Sequence, residues 1–184
     1  MMIIYKNPDD SIVMTFPARQ FVDVYGEFSV ATRITPKGLP FWLVEDSTIP
    51  QDMTFSEAWE VPASFGDPDG YGSASSSFAD ISEKEGHAGM SRRSFTPQIN
   101  QIKAVVIAQK WIRSWREHWF AENDIDLQNA MADGADITPF VNRRNWLRNL
   151  PQQCEGKTIE ELNDLLTDLR IGRIWDLEDD YENS

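Results

Sequence analysis

The sequence predicts an α+β protein: a small N-terminal antiparallel β module, a flexible middle segment, and a C-terminal helical hairpin followed by a third helix. Three observations predict it. Short β-branched and aromatic runs separated by turn residues fill positions 1–61. Residues 62–97 are rich in glycine, serine and proline and poor in apolar side chains. From residue 98 to 175 apolar residues recur at helical spacing, before an acidic tail at 176–184.

Within the first module, residues 2–5 and 11–16 read as two strands around Asn7, Pro8, Asp9 and Asp10, residues that favour a tight turn. Segment 18–32 is ambiguous. Phe21, Val24, Tyr25 and Phe28 fit helical spacing, whereas Gly26 and the β-branched residues weaken it. Thr35 to Pro40 holds two prolines and a glycine and reads as a loop, and 41–45 is an apolar run suited to a strand joining the hairpin. Thr54, with Glu57 three residues on, could cap a helical turn over 55–59; a strand over 54–61 is the alternative.

The stretch 66–77 reads as a linker or flexible loop, and Arg92 and Arg93 as part of the same solvated segment. Proteolysis is expected to cut first between residues 66 and 90. Beyond it, 97–123 predicts a helix, 123–135 a polar connection with a turn at Asp133 and Gly134, and Thr138 with Pro139 a helix start. That second helix runs to Leu150, where Pro151 stops it, and it should pack antiparallel on the first. Thr158 and Glu161 form a capping box for a third helix carrying Leu162, Leu165, Leu166 and Leu169 on one face.

Composition limits the function. The 184 residues are 41% hydrophobic and 26% charged, which is ordinary for a globular protein able to bury a core. A net charge of -13 disfavours nucleic acid and anionic membrane as partners. The charge is uneven: 98–148 is near balance, while 149–184 is strongly acidic. Cys154 is the single cysteine, so no intrachain disulfide forms and a reducing compartment is expected. No apolar run has the length of a signal peptide or a membrane span, so a soluble protein is expected.

Catalytic patterns are missing from the sequence, and neither an enzyme, a cofactor nor a metal site is expected. His87 lies in the polar middle segment and His118 among helical residues, and neither has liganding neighbours at metal spacing. Cys154 follows a helix end with no base near it in sequence. Asp67, Asp69 and Gly70 match the opening of a calcium loop, but Phe78 stands at the twelfth position, where a liganding glutamate is required.

The strongest pattern is aromatic. Trp111, Trp115 and Trp119 recur every four residues and share one helix face, widened by Ile112 and Phe120 and flanked by Arg113 and Arg116. Trp146 lies between Arg144 and Arg148 in the next helix. Such a face is either the core of a helical hairpin or a docking surface, since tryptophan and arginine dominate binding hot spots.

The stretch 111–153 resembles the small tail assembly chaperone family of tailed bacteriophages, whose pattern is an arginine-rich helix, an acidic turn and a second arginine-bearing helix ending at proline. Arg113, Trp115 and Arg116, then Phe120 and Asp124, match the first part; Arg144, Leu147, Arg148, Leu150 and Pro151 match the second. Ile125 stands where the family commonly has tryptophan, and Asn149 where it has an acidic residue. Segments 39–44 and 49–60 look like a stretch found upstream of such helices in phage tail-locus proteins. The resemblance implies a non-enzymatic tail or tail-fibre assembly chaperone in the host cytoplasm. Its partner would be a tail or fibre protein, held by Trp111, Trp115, Trp119 and Trp146 with Arg113, Arg116, Arg144 and Arg148. The same arginines could instead pair internally with Glu117, Glu122 and Asp124. Other readings are a structural component retained in the virion, and an acidic inhibitor of a host nucleic-acid enzyme.

Overall fold

The computed structural model describes residues 1–73 and 92–170. The chain divides into two compact units, Met1–Asn100 and Gln101–Ser184. The expected α+β architecture is present, with the sheet in the first unit and the long helices in the second.

Strands β1 (Met2–Lys6) and β2 (Ile12–Thr15) form the expected antiparallel hairpin, with Ile4 opposite Met14. Asn7 N–H donates to the Ser11 carbonyl at 2.8 Å, and Asp9 accepts from both the amide and the hydroxyl of Ser11. The ambiguous segment 18–32 is helical. It forms α1 (Arg19–Tyr25) and α2 (Glu27–Ile34), broken at Gly26, whose φ of 79° suits glycine better than any L side chain. Strand β3 (Pro40–Val44) pairs antiparallel with β1 on the side away from β2.

The apolar run in β3 is continuous because both faces of the sheet are covered. Trp42 and Val44 join Met2, Ile4, Trp59 and Phe95 on one face, while Phe41 and Leu43 join Ile3, Val30 and Ala31 on the other. For the region around Thr54 both readings hold in part: a 3-10 turn at Ser56–Ala58 runs directly into strand β4 (Trp59–Glu60).

The expected linker at 62–97 requires correction at both ends. Residues 62–73 and 92–97 belong to the first unit. Gly70–Tyr71 forms β5, an antiparallel neighbour of β3, giving the sheet order β2-β1-β3-β5. Gly72 approaches the backbone so closely that an added Cβ would lie 2.1 Å from the Pro36 carbonyl oxygen. Its N–H donates to the Leu39 carbonyl and its own carbonyl accepts from Gly38. Small residues are therefore a packing requirement at this point.

From the other side, Arg93 bridges to Val44 in parallel, and Phe95 is fully buried. Strand β6 (Gln98–Ile99), expected as the start of the helical region, pairs instead with β4. The central part of the expected flexible segment, 74–91, lies outside the described residues, as do His87, Phe78 and the acidic tail.

Arg93, expected as a solvated loop residue, is a clasp. Its Nη2 lies 2.7 Å from Asp69 Oδ1, and its Nη1 donates to the carbonyls of Phe65 and Asp67. Its guanidinium stands 5.7 Å from the Phe65 ring centroid. Asp69, with its side chain only 5% exposed, also accepts from the Leu43 amide through Oδ2. Beside this clasp Arg92 pairs with Glu27 of α2. Asp67 and Asp69 thus have structural roles, and no group of acidic, histidine or cysteine residues suited to a metal occurs among the described residues.

In the second unit, α3 (Gln101–Asp133) runs for 33 residues, about 50 Å at 1.5 Å per residue. The expected end at residue 123 is therefore wrong by ten residues. The polar stretch after it continues the helix, because Asn123 turns inward to a partner helix and helix-compatible Gln128, Ala130, Met131 and Ala132 follow. The helix stops where the turn was expected. Gly134 adopts φ of 69°, and the Ala135 amide closes on the Ala130 carbonyl.

Helix α4 (Thr138–Asn149) packs back against α3. Thr138 is not its N-cap, as expected, but its first residue. The neighbouring Asp136 carboxylate accepts the Thr138 amide and is held below the usual aspartate range by hydrogen bonds from Thr138. As expected, α4 ends just before Pro151, which sits inside a following 3-10 turn at Leu150–Cys154 that also packs on α3. Helix α5 (Ile159–Arg170) opens with the expected capping box: Glu161 accepts the Thr158 amide, and the Thr158 hydroxyl accepts the Glu161 amide. Leu162, Leu166 and Leu169 are buried along its inner face.

Candidate protein-binding site

The expected antiparallel pairing of the first two long helices is present, and its contacts explain most of the arginines. Along α3, Ile112, Arg116, Phe120 and Asn123 fall three or four residues apart and so share a side. Arg116 Nη1 donates to the carbonyls of Leu147 and Arg148 at 3.3 and 3.0 Å. These are terminal carbonyls of α4, where the helix dipole favours a cation. Asn123, fully buried, donates through Nδ2 to the Phe140 carbonyl at 3.1 Å. Arg144 pairs with Asp124, and Arg143 with Asp126.

Phe120 lies under two cations, with the Arg116 and Arg144 guanidinium carbons 5.6 and 5.8 Å from its ring centroid. This arrangement is an interhelical latch. Of the two divisions open to sequence reasoning, internal pairing with an acid describes Arg144, which meets Asp124; Arg116 also turns to the facing helix, but to the carbonyls of Leu147 and Arg148 and not to an acid. The Arg144–Asp124 pair is more than a third exposed on each side, so its ionic part contributes little, about 0–1 kcal/mol; register is its larger effect.

The remaining expected site residues divide sharply. Trp146 is 4% exposed and belongs to the core, which removes it from any docking surface. Its helix turns it inward beside Leu147 and Leu150, a side fixed only once a partner helix exists. Arg113 is exposed and bonds Gln109 one turn back; Arg148 is exposed and bonds Asn145. Trp111, Trp115 and Trp119 are each only partly covered. The Trp111 and Trp115 rings stand 6.3 Å apart at 31°, forming the beginning of an aromatic row along α3. Trp111, Trp115, Trp119, Arg116 and Arg144 are thus all half-buried, Arg113 is exposed and Trp146 is core; what sets Arg116 and Arg144 apart is that their guanidiniums are engaged across the helix pair.

Two latch residues, Phe120 and Asn123, were not among the expected site residues. An asparagine in phase with an inward-facing helical row is the signal that could have identified the second. His118 is an exposed helix residue 3.2 Å from Glu122. Cys154 is fully buried and its thiol is pushed up to about 11 by desolvation, which leaves it protonated and unreactive near neutral pH. Among the described residues, no helix is long and apolar enough to cross a membrane. Comparison with family models, curated proteins and solved structures finds no match to this chain.

Proposed function

We propose that this protein is a non-enzymatic bacteriophage tail or tail-fibre assembly chaperone that holds its client through the aromatic row of α3. The observation that carries the reading is the incomplete cover of Trp111, Trp115 and Trp119, with exposed Arg113 among them. Large amphipathic rings offer wide contact area at low cost in side-chain entropy, and their N–H groups tolerate a polar rim. A fibre subunit displays apolar, strand-forming surface until trimerisation covers it, and such a row suits temporary cover. The family resemblance supports the same reading from a different direction. Its arginines at 116 and 144 build the helical latch that holds α3 against α4, so the matched motif specifies the carrier of the binding surface more than the surface itself.

The test is co-expression of a candidate tail-fibre protein with and without this chain, scoring soluble client trimer. Recovery should rise when the chain is present, and the chain should be found in lysate but not in purified virions. Equal recovery in both conditions contradicts the chaperone reading, and enrichment in purified virions replaces it with a structural role.

A further inference from the structure

We infer that a second copy of this chain docks on the open edge of the sheet, strand β2 to strand β2. Among the described residues β2 pairs only with β1, so its outer edge has no strand partner. The phase of the hairpin identifies the groups left over. Asn7 bonds Ser11 across the turn, so in an antiparallel ladder Tyr5 with Val13 and Ile3 with Thr15 are the bonded pairs. The N–H and C=O groups of Ile12 and Met14 therefore point away from β1.

Natural edges are usually blunted by a charge, a proline or a bulge, and Ile12, Val13, Met14 and Thr15 contain none of these. The edge is self-complementary. With a two-fold axis through Val13, Ile12 of each copy faces Met14 of the other, and the outward groups form a closed set of main-chain hydrogen bonds.

Two further features favour a second copy over an unrelated strand. The axis stands perpendicular to the sheet, so like faces stay together. Ile12, Met14 and Phe16 of both copies then share one side, and Phe16, 66% exposed in the single chain, gains cover. On the other side, α1 packs on α2 and buries none of its own residues, leaving Phe21 and Val24 exposed one turn apart; the two-fold axis places the α1 helices of both copies on the same face of the joined sheet. The register also sets the acidic turn of Asp9 and Asp10 beside residues 16–19 of the other copy, where Arg19 is 93% exposed.

The test is sedimentation velocity of the full chain from low micromolar to several hundred micromolar. The expected result is a concentration-dependent monomer–dimer equilibrium. Met14→Pro removes an outward N–H without removing a bond to β1, and Phe16→Glu places a charge on the new interface; each should weaken dimerisation about tenfold or more. Phe16 is exposed in the single chain, so Phe16→Glu leaves the fold intact if Met14→Pro disturbs it, as circular dichroism will report. A monomer at every concentration overturns the proposal. So does a dimer that Phe16→Glu leaves unchanged, or a β2 edge protected only when a client is bound.

Discussion

Replacing Trp146 with alanine is expected to destabilise the helical unit by roughly 3–5 kcal/mol, the cost of emptying a buried tryptophan site. The side chain is 4% exposed and shares its buried side of α4 with Leu147 and Leu150. A loss of that size is a large fraction of the stability of a unit this small. Urea unfolding of the full chain, followed by circular dichroism at a helical wavelength, should show the transition moving to much lower denaturant. By contrast, Arg148→Ala on the same helix should stay within about 0.5 kcal/mol of the parent, because an exposed arginine bonded to Asn145 holds nothing else in place. Equal midpoints for the two variants would return Trp146 to the list of surface residues.

Arg93→Ala is expected to destabilise the first unit by about 3 kcal/mol, the lower end of the range for breaking a buried ion pair. Arg93 is itself 32% exposed, which limits the effect, but Asp69 is not. Without the guanidinium, the Asp69 carboxylate keeps the Leu43 amide as its one donor among the described residues, and the carbonyls of Phe65 and Asp67 lose a shared donor. The double variant Arg93→Ala with Asp69→Ala should be more stable than the sum of the two single losses, since neither charge is then left alone. Additive losses in that cycle would mean the clasp is not one interaction.

Local pattern made part of this molecule legible. The turn at Asn7 to Asp10, the continuous apolar run of β3 and the capping box at Thr158 and Glu161 each depend on near neighbours, and each is found as expected. The misreadings share a different cause. Gly70 and Gly72 look like linker residues in sequence. In the fold they are small because the Phe41 ring and the Pro36 carbonyl come too close for a side chain. The partners of Arg93 lie 24 to 28 residues away, so no local window contains the reason for its role as a clasp. The polar run after Asn123 resembles a connection until α4 supplies the Phe140 carbonyl that gives Asn123 a buried partner.

The candidate site follows the same division. That Trp111, Trp115 and Trp119 share a helix face is fixed by their spacing, and the tryptophan–arginine excess is visible in the sequence. Which aromatic residues turn inward depends on the partner helix. Trp146 and Trp115 are alike in type and flanking charge, yet one is core and the other partly open. Arg116 and Arg144 lie within the family-like motif, but their hydrogen bonds lead to the facing helix.

One paired measurement separates a half-buried tryptophan row that binds client from an arginine latch that holds α3 against α4. Trp115→Ala and Arg144→Ala are each co-expressed with the fibre client, and soluble client is scored against the unfolding midpoint of each variant. Trp115→Ala should lose client recovery, with a hot-spot loss of about 2 kcal/mol or more, while its midpoint stays close to the parent. Arg144→Ala should keep client recovery once its midpoint shift is taken into account. Lost recovery for Arg144→Ala at an unchanged midpoint, with Trp115→Ala still binding, would contradict the account and move the client contact from the tryptophan row to the arginines.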